Sequence, residues 1–116
     1  MDQPNSSSAT RNALIIGAIG AIGGAVAEEL ASRGAALYLV GRDSRALEER
    51  ARRLRSMVAV HVQVLDALDE RELADYCASL GNRGVRIDFL LNAIGPRVDV
   101  ARYGRPCEEL RLKDFL

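Results

Sequence analysis

The chain has 116 residues, 48% of them apolar, so it holds one domain at most and still has the material for a core. Sixteen basic and sixteen acidic side chains cancel, which argues against a domain-wide grip on nucleic acid or an anionic membrane. Cys77 and Cys107 fit neither a zinc spacing nor a disulfide framework, and a single histidine, His61, leaves little for a metal site. A reduced, cytoplasmic protein without metal is the expected setting.

Residues 1–11 open with a polar run poor in core formers and are predicted to be a disordered leader. Residues 13–27 carry no charge and could be mistaken for a targeting segment with Ala25-Val26-Ala27 as its cleavage site. Four glycines (Gly17, Gly20, Gly23 and Gly24) make that segment a poor apolar helix. Residues 13–16 read instead as a buried strand ending at Gly17. A helix over 22–32 follows, closed by Gly34. Residues 36–40 form a second strand. Asp43 or Ser44 caps a helix running to about Arg55, with Leu47, Ala51 and Leu54 on its apolar face. The arginines of that helix, Arg50, Arg52, Arg53 and Arg55, read as a solvated face. Residues 58–65 alternate and are β-rich, giving a third strand. Asp66 or Asp69 opens a third helix, with Leu73, Cys77 and Leu80 on one face. Gly81-Asn82-Arg83-Gly84 ends it, and Phe89-Leu90-Leu91 makes a fourth strand that stops at Asn92. The rhythm β-α-β-α-β-α-β implies an α/β fold with parallel strands and right-handed crossovers. Residues 106–116 resemble the opening of a helix, and the chain stops there on Phe115-Leu116 without a cap. The sequence is therefore expected to be incomplete, the other reading being a terminus docked on the core.

The chemistry gathers at the strand ends. The first strand runs into Gly17-Ala18-Ile19-Gly20-Ala21-Ile22-Gly23. A phosphate needs backbone N–H groups at a helix N-terminus with no side chains in the way. Gly17 permits the tight turn, Gly20 and Ala21 let the backbone approach a pyrophosphate, and Gly23 lets the helix pack against the strand. A packing motif, Gly20 to Gly24, is the plainer alternative. After the second strand come Gly41 and Arg42. A carboxylate there would repel a 2′-phosphate, whereas a small residue makes room and a guanidinium pairs with it. An ordinary surface arginine is the alternative. Asp66 can accept from an adenine amino group or merely cap a helix. Asn92-Ala93-Ile94-Gly95 ends the fourth strand with small residues that leave space for a ribose. Asn92 can bridge neighbouring strands or simply form a turn.

Together these residues resemble the short-chain dehydrogenase/reductase family, over about residues 11–116. The family's Thr-Gly-x-x-x-Gly-x-Gly corresponds to the run from Ile16 to Gly23, with Ile16 for the threonine and Ala21 for the middle glycine. Ile19 stands where a serine or threonine is common. Arg42 falls where NADP-preferring members carry a basic residue, and Gly41 where NAD-preferring members carry aspartate. Asp66-Ala67 matches the family's Asp-Val, and Asn92-Ala93-Ile94-Gly95 its Asn-Asn-Ala-Gly. Residues 107–115 resemble the run into its fourth helix.

The resemblance implies the first four strands of a Rossmann-type doubly wound parallel sheet, in order 3-2-1-4, over residues 12–116. It implies NADP(H), preferred over NAD(H), held by Gly17, Ile19, Gly20, Ala21, Ile22, Gly23, Gly41, Arg42, Asp66, Ala67, Asn92, Ala93 and Gly95. The activity implied is hydride transfer between nicotinamide and a small carbonyl or alcohol substrate, in a protein that forms homo-oligomers at full length. The family's catalytic serine and Tyr-x-x-x-Lys have no counterpart here. None of Tyr38, Tyr76 and Tyr103 has a lysine four residues on, and Lys113 is the only lysine. No catalytic residue is assigned. The 116-residue chain alone is expected to be inactive, to bind NADPH weakly or not at all, and to expose Phe89, Leu90 and Leu91 on an open edge. Two rival readings are a non-catalytic dinucleotide-binding module and the first half of a sugar-nucleotide epimerase or dehydratase.

Overall fold

The structure is a computed structural model and describes residues 10–94. Residues 1–9 of the predicted leader, and Gly95 with everything after it, lie outside the described residues. Four parallel strands, β1 (Asn12–Ile16), β2 (Ala36–Gly41), β3 (Val60–Val64) and β4 (Phe89–Asn92), form one sheet in the order β3-β2-β1-β4. Three helices connect them: α1 (Ala21–Ser32), α2 (Ser44–Leu54) and α3 (Glu70–Asn82). In register, Ile16 lies beside both Val40 and Asn92, and Gly41 beside Val64. All four carboxyl ends therefore emerge along one edge of the sheet.

The strands alternate their side chains between two cores, as a pleated strand must. Ala13, Ile15, Leu37 and Leu39 face α1 and α2, where Ala27, Ala31, Leu47, Ala51 and Leu54 complete the cluster. Leu14, Ile16, Tyr38 and Val40 face the other way, against Tyr76 and Leu80 of α3. Both faces of β1 and β2 are covered, which is why these strands read as near-continuous apolar runs. Leu47, Leu37 and Leu39 are fully buried, and each contributes about 2 kcal/mol of transfer free energy.

Several boundaries and one helix face differ from the sequence expectation. Helix α1 begins at Ala21, one residue earlier than predicted. Strand β3 begins at Val60 rather than Val58. The Met57 and Val58 amides still donate to the Leu54 carbonyl, at 2.9 and 3.2 Å, so α2's closing turn consumes those residues. Asp69, not Asp66, caps α3, its carboxylate accepting from the Arg71 and Glu72 amides. On α3 the buried residues are Tyr76 and Leu80, and Cys77, expected on the apolar face, is exposed. Spacings 73–76–80 and 73–77–80 suit a helix face equally well, and the larger apolar ring takes the inward position against β2.

Candidate functional site

Gly17 makes the turn out of β1 with φ of +85°, a conformation that costs an L side chain about 1–2 kcal/mol. Its amide and that of Ala18 both donate to the Val40 carbonyl, at 2.9 and 3.2 Å, so the turn is tied to the end of β2. On its other side, a Cβ at Gly17 would sit 3.0 Å from Ile94 and 3.2 Å from the Ala93 backbone. The Ala93 amide donates to the Ile16 carbonyl at 2.8 Å. The glycine turn is thus wedged between the ends of β2 and β4, at the point where the strand order reverses.

Helix α1 rises from this turn. Gly20 is its N-cap, in extended backbone with no side chain to cap the first turn, and that turn holds no acidic residue. The amides of Ala21, Ile22 and Gly23 are the orphan donors of the helix start. A Cβ at Gly23 would overlap the Gly17 carbonyl, so only glycine lets α1 lie this close to the turn. Ile22 projects outward and is 69% exposed, whereas Ile19 packs onto the α1–α2 core. The aligned peptides and bare first turn suit an anion at this spot.

The remaining predicted residues line the same edge. Gly41 is buried at the end of β2, its Cα facing Leu47, and exposed Arg42 follows it. Asp43 caps α2 by accepting from the Ala46 amide at 3.1 Å. Asp66 lies beyond β3, with its carboxylate accepting from the Leu68 amide at 3.0 Å and its amide donating to Glu72 at 3.3 Å. Ala67 packs against the α3-side core. The Asn92 side chain accepts from the Ile94 amide at 3.1 Å, a local turn rather than a bridge between strands. Gly95 lies outside the described residues.

Arg50 departs from the solvated face expected of the α2 arginines. Arg50 of α2 is half-buried and crosses to α1, its Nη2 donating to the Ile19 carbonyl at 3.4 Å. Its Nε is buried without a hydrogen-bond partner among the described residues. The signal in the sequence was Gly24: a Cβ there would overlap the Arg50 guanidinium.

Neither described tyrosine is placed for proton transfer at this edge. Tyr38 is buried in β2 with its ring stacked on His61 at 4.5 Å. Burial, offset in part by the positive charge of Arg83, pushes the Tyr76 hydroxyl up to about 12. A concavity of about 510 Å³ between Arg11, Leu30, Arg33 and Asp88 opens at the amino ends of β1 and β4, away from the glycine turn. Among the described residues no group of side chains could hold a metal ion, and no helix is long and apolar enough to cross a membrane.

A parallel sheet in the order 3-2-1-4, with helices on both faces and a glycine turn at its switch point, is a Rossmann-like α/β fold. Residues 17–116 match the family model described as enoyl-(acyl carrier protein) reductase. The chain belongs to the short-chain dehydrogenase/reductase family and corresponds to its N-terminal half. It is 33% identical over 102 residues to sulfoacetaldehyde reductase 2 of Chromohalobacter salexigens, covering 88% of this chain and 39% of that protein. Among solved structures it resembles a short-chain dehydrogenase of Sphingobium yanoikuyae in complex with NADPH. The TM-score is 0.68 at 31% identity, covering 90% of this chain and 39% of that one. It also resembles an NAD+-bound xylitol dehydrogenase, with a TM-score of 0.65 at 32% identity over 74% of this chain and 34% of that one. The chain thus spans about two fifths of the length of the first of these relatives.

Proposed function

We propose that this chain supplies the dinucleotide-binding part of an NADP(H)-dependent oxidoreductase acting on a small carbonyl or alcohol. The observation that carries the reading is the start of α1: a helix with neither a capping side chain nor a first-turn carboxylate, set in a glycine turn at the sheet's switch point. The residues suit the cofactor. The Ala21, Ile22 and Gly23 amides would take the pyrophosphate, with Gly17, Ile19 and Gly20 shaping the turn. The Arg42 guanidinium, beside the small Gly41, would pair with the 2′-phosphate. Asp66 and Ala67 would border the adenine, and Asn92, Ala93 and Gly95 the nicotinamide-side ribose. The dinucleotide, when bound, supplies hydride chemistry at nicotinamide C4. The chain's part is to hold and orient it. Relatives bound to NADPH and to NAD+ both occur, so Arg42 is what favours NADP(H) here.

The proton that accompanies hydride transfer needs a donor or acceptor that these residues do not offer. Tyr38 and Tyr76 are buried, and no tyrosine of the 116 residues has a lysine four positions on. The alternative reading is a dinucleotide-binding module without turnover. Fluorescence titration of the complete gene product with NADPH and NADH tests the binding reading. Tighter binding of NADPH is expected. Arg42→Ala should weaken NADPH by about 2 kcal/mol, roughly thirtyfold, and leave NADH unchanged. Equal loss for both would remove the 2′-phosphate assignment, and absence of binding to either would remove the function. Reduction of an aldehyde or ketone by the same preparation with NADPH separates the enzyme from the silent module.

A further inference from the structure

We propose that Arg50 is a positioning residue of the dinucleotide site, holding the glycine turn from behind and adding positive charge where the pyrophosphate sits. The inference rests on the reading of the turn as a dinucleotide site and adds a residue outside the glycine run.

Three observations carry it. First, Arg50 reaches from α2 to a carbonyl of the turn itself, that of Ile19, across 31 positions of sequence. Side chains on a helix lean toward its N-terminus. Arg50 therefore points toward the carboxyl ends of the strands, where the turn lies. Second, a place is cleared for it. The atoms nearest a Cβ built on Gly24 are Nη1, Cζ and Nη2 of Arg50, all in overlap or close contact, so any larger residue on α1 would evict the guanidinium. Third, the charge is not otherwise answered. Arg52 on the same helix and Arg55 at its C-cap pair with Glu49 and Glu48, whereas among the described residues Arg50 pairs with no carboxylate and its buried Nε has no partner. The guanidinium lies against the first turn of α1, the positive end of that helix. Two like charges side by side disfavour the empty site and favour an anion between or beside them. The pyrophosphate is common to NADPH and NADH, so Arg50 acts on both, unlike Arg42.

The test uses the complete gene product carrying Arg50→Ala, Arg50→Lys, Gly24→Ala and the Gly24→Ala/Arg50→Ala pair. Affinities for NADPH and NADH are read by fluorescence at low and high salt, with thermal melts alongside. Arg50→Ala should weaken both dinucleotides by the same factor, about fivefold, and flatten the salt dependence. Arg50→Lys should restore part of the affinity. Gly24→Ala should weaken binding on its own by displacing the guanidinium, with no further loss of affinity once Arg50 is alanine, where Tm should rise because the space is free and alanine is the better helix former. Unchanged affinity in Arg50→Ala, or a loss confined to NADPH, overturns the inference while leaving the dinucleotide reading intact. Gly24→Ala equally harmful in both backgrounds overturns the contact itself. A wild-type protein that binds neither dinucleotide overturns the site and the role of Arg50 together.

Discussion

The starts of α2 and α3 differ from the start of α1 in one respect that separates scaffold from site. Asp43 caps α2 and Asp69 caps α3, each carboxylate accepting from first-turn amides. Such caps contribute about 1 kcal/mol apiece and close the helix ends against outside partners. Gly20, at the same position of α1, offers nothing, and the first turn that follows is Ala21, Ile22 and Gly23. A fold that caps two helices internally and leaves the third bare forgoes stability there. The bare end also stands where β2 and β4 diverge, tied to Val40 on one side and packed on Ala93 on the other. Exposure of helix amides is thus confined to the spot where a ligand can span two strand ends.

The contrast can be broken from the α1 side first. Gly23→Ala should have the largest effect, because the new Cβ overlaps the Gly17 carbonyl and the backbone must move. A loss of about 3 kcal/mol in urea unfolding is expected, with dinucleotide binding abolished. Gly20→Asp is the sharper experiment. Gly20 is extended, with φ −73° and ψ 170°, and its added Cβ would meet only the Gly17 carbonyl at 3.6 Å, so aspartate fits as a cap. Stability should hold or rise by a few tenths of a kcal/mol, while dinucleotide affinity falls by about 2 kcal/mol as a carboxylate faces the pyrophosphate. Binding that survives Gly20→Asp would place the anion elsewhere. From the scaffold side, Asp69→Ala should cost about 1 kcal/mol in thermal or urea unfolding and leave dinucleotide affinity unchanged.

The last expected effect shows only at alkaline pH and concerns the core rather than either helix start. Burial holds the folded Tyr76 hydroxyl near 12 against 10 for the free side chain. The folded state therefore retains its proton longer than the unfolded state. The associated stability is fully present below pH 10 and is lost as pH climbs from there toward 12. Tyr76→Phe should flatten the alkaline limb of the stability curve over that window. An unchanged limb would mean that other groups set it.

Most of the scaffold could be read along the chain because it rests on local signals. Apolar runs ending in Gly17 and Gly41, the aspartate before Ser44 and the glycines after α1 and α3 each act within a few residues. Their order then sets the sheet through the handedness of the crossovers. Asp66 shows where that logic thins: two aspartates stood within one helical turn, and only packing selects Asp69 as the cap. Tyr76 and Cys77 pose the same problem, since helical spacing admits either and the neighbouring strand decides. Arg50 was illegible for a deeper reason. Its neighbours in sequence, Glu48 and Glu49 and the other arginines, describe a charged surface helix. The meaning of Arg50 depends on Gly24, one helix away. Glycine in a helix is a cost unless something occupies the space it leaves, and that occupant is visible only in three dimensions.

The position of β1 bears on synthesis as well as on binding. On the ribosome β1, β2 and β3 emerge in the order in which they pair, but β1 must also accept β4 on its second side. At translation rates of about 5–20 residues per second, β4 follows β1 by roughly 4–15 s. Through that interval β1 is an edge of the growing sheet and presents an open row of amides and carbonyls, flanked by Leu14, Ile15 and Ile16. The nascent chain is then a template for strand addition by any extended segment nearby. Holding by a chaperone through that interval would shield the open edge until β4 arrives.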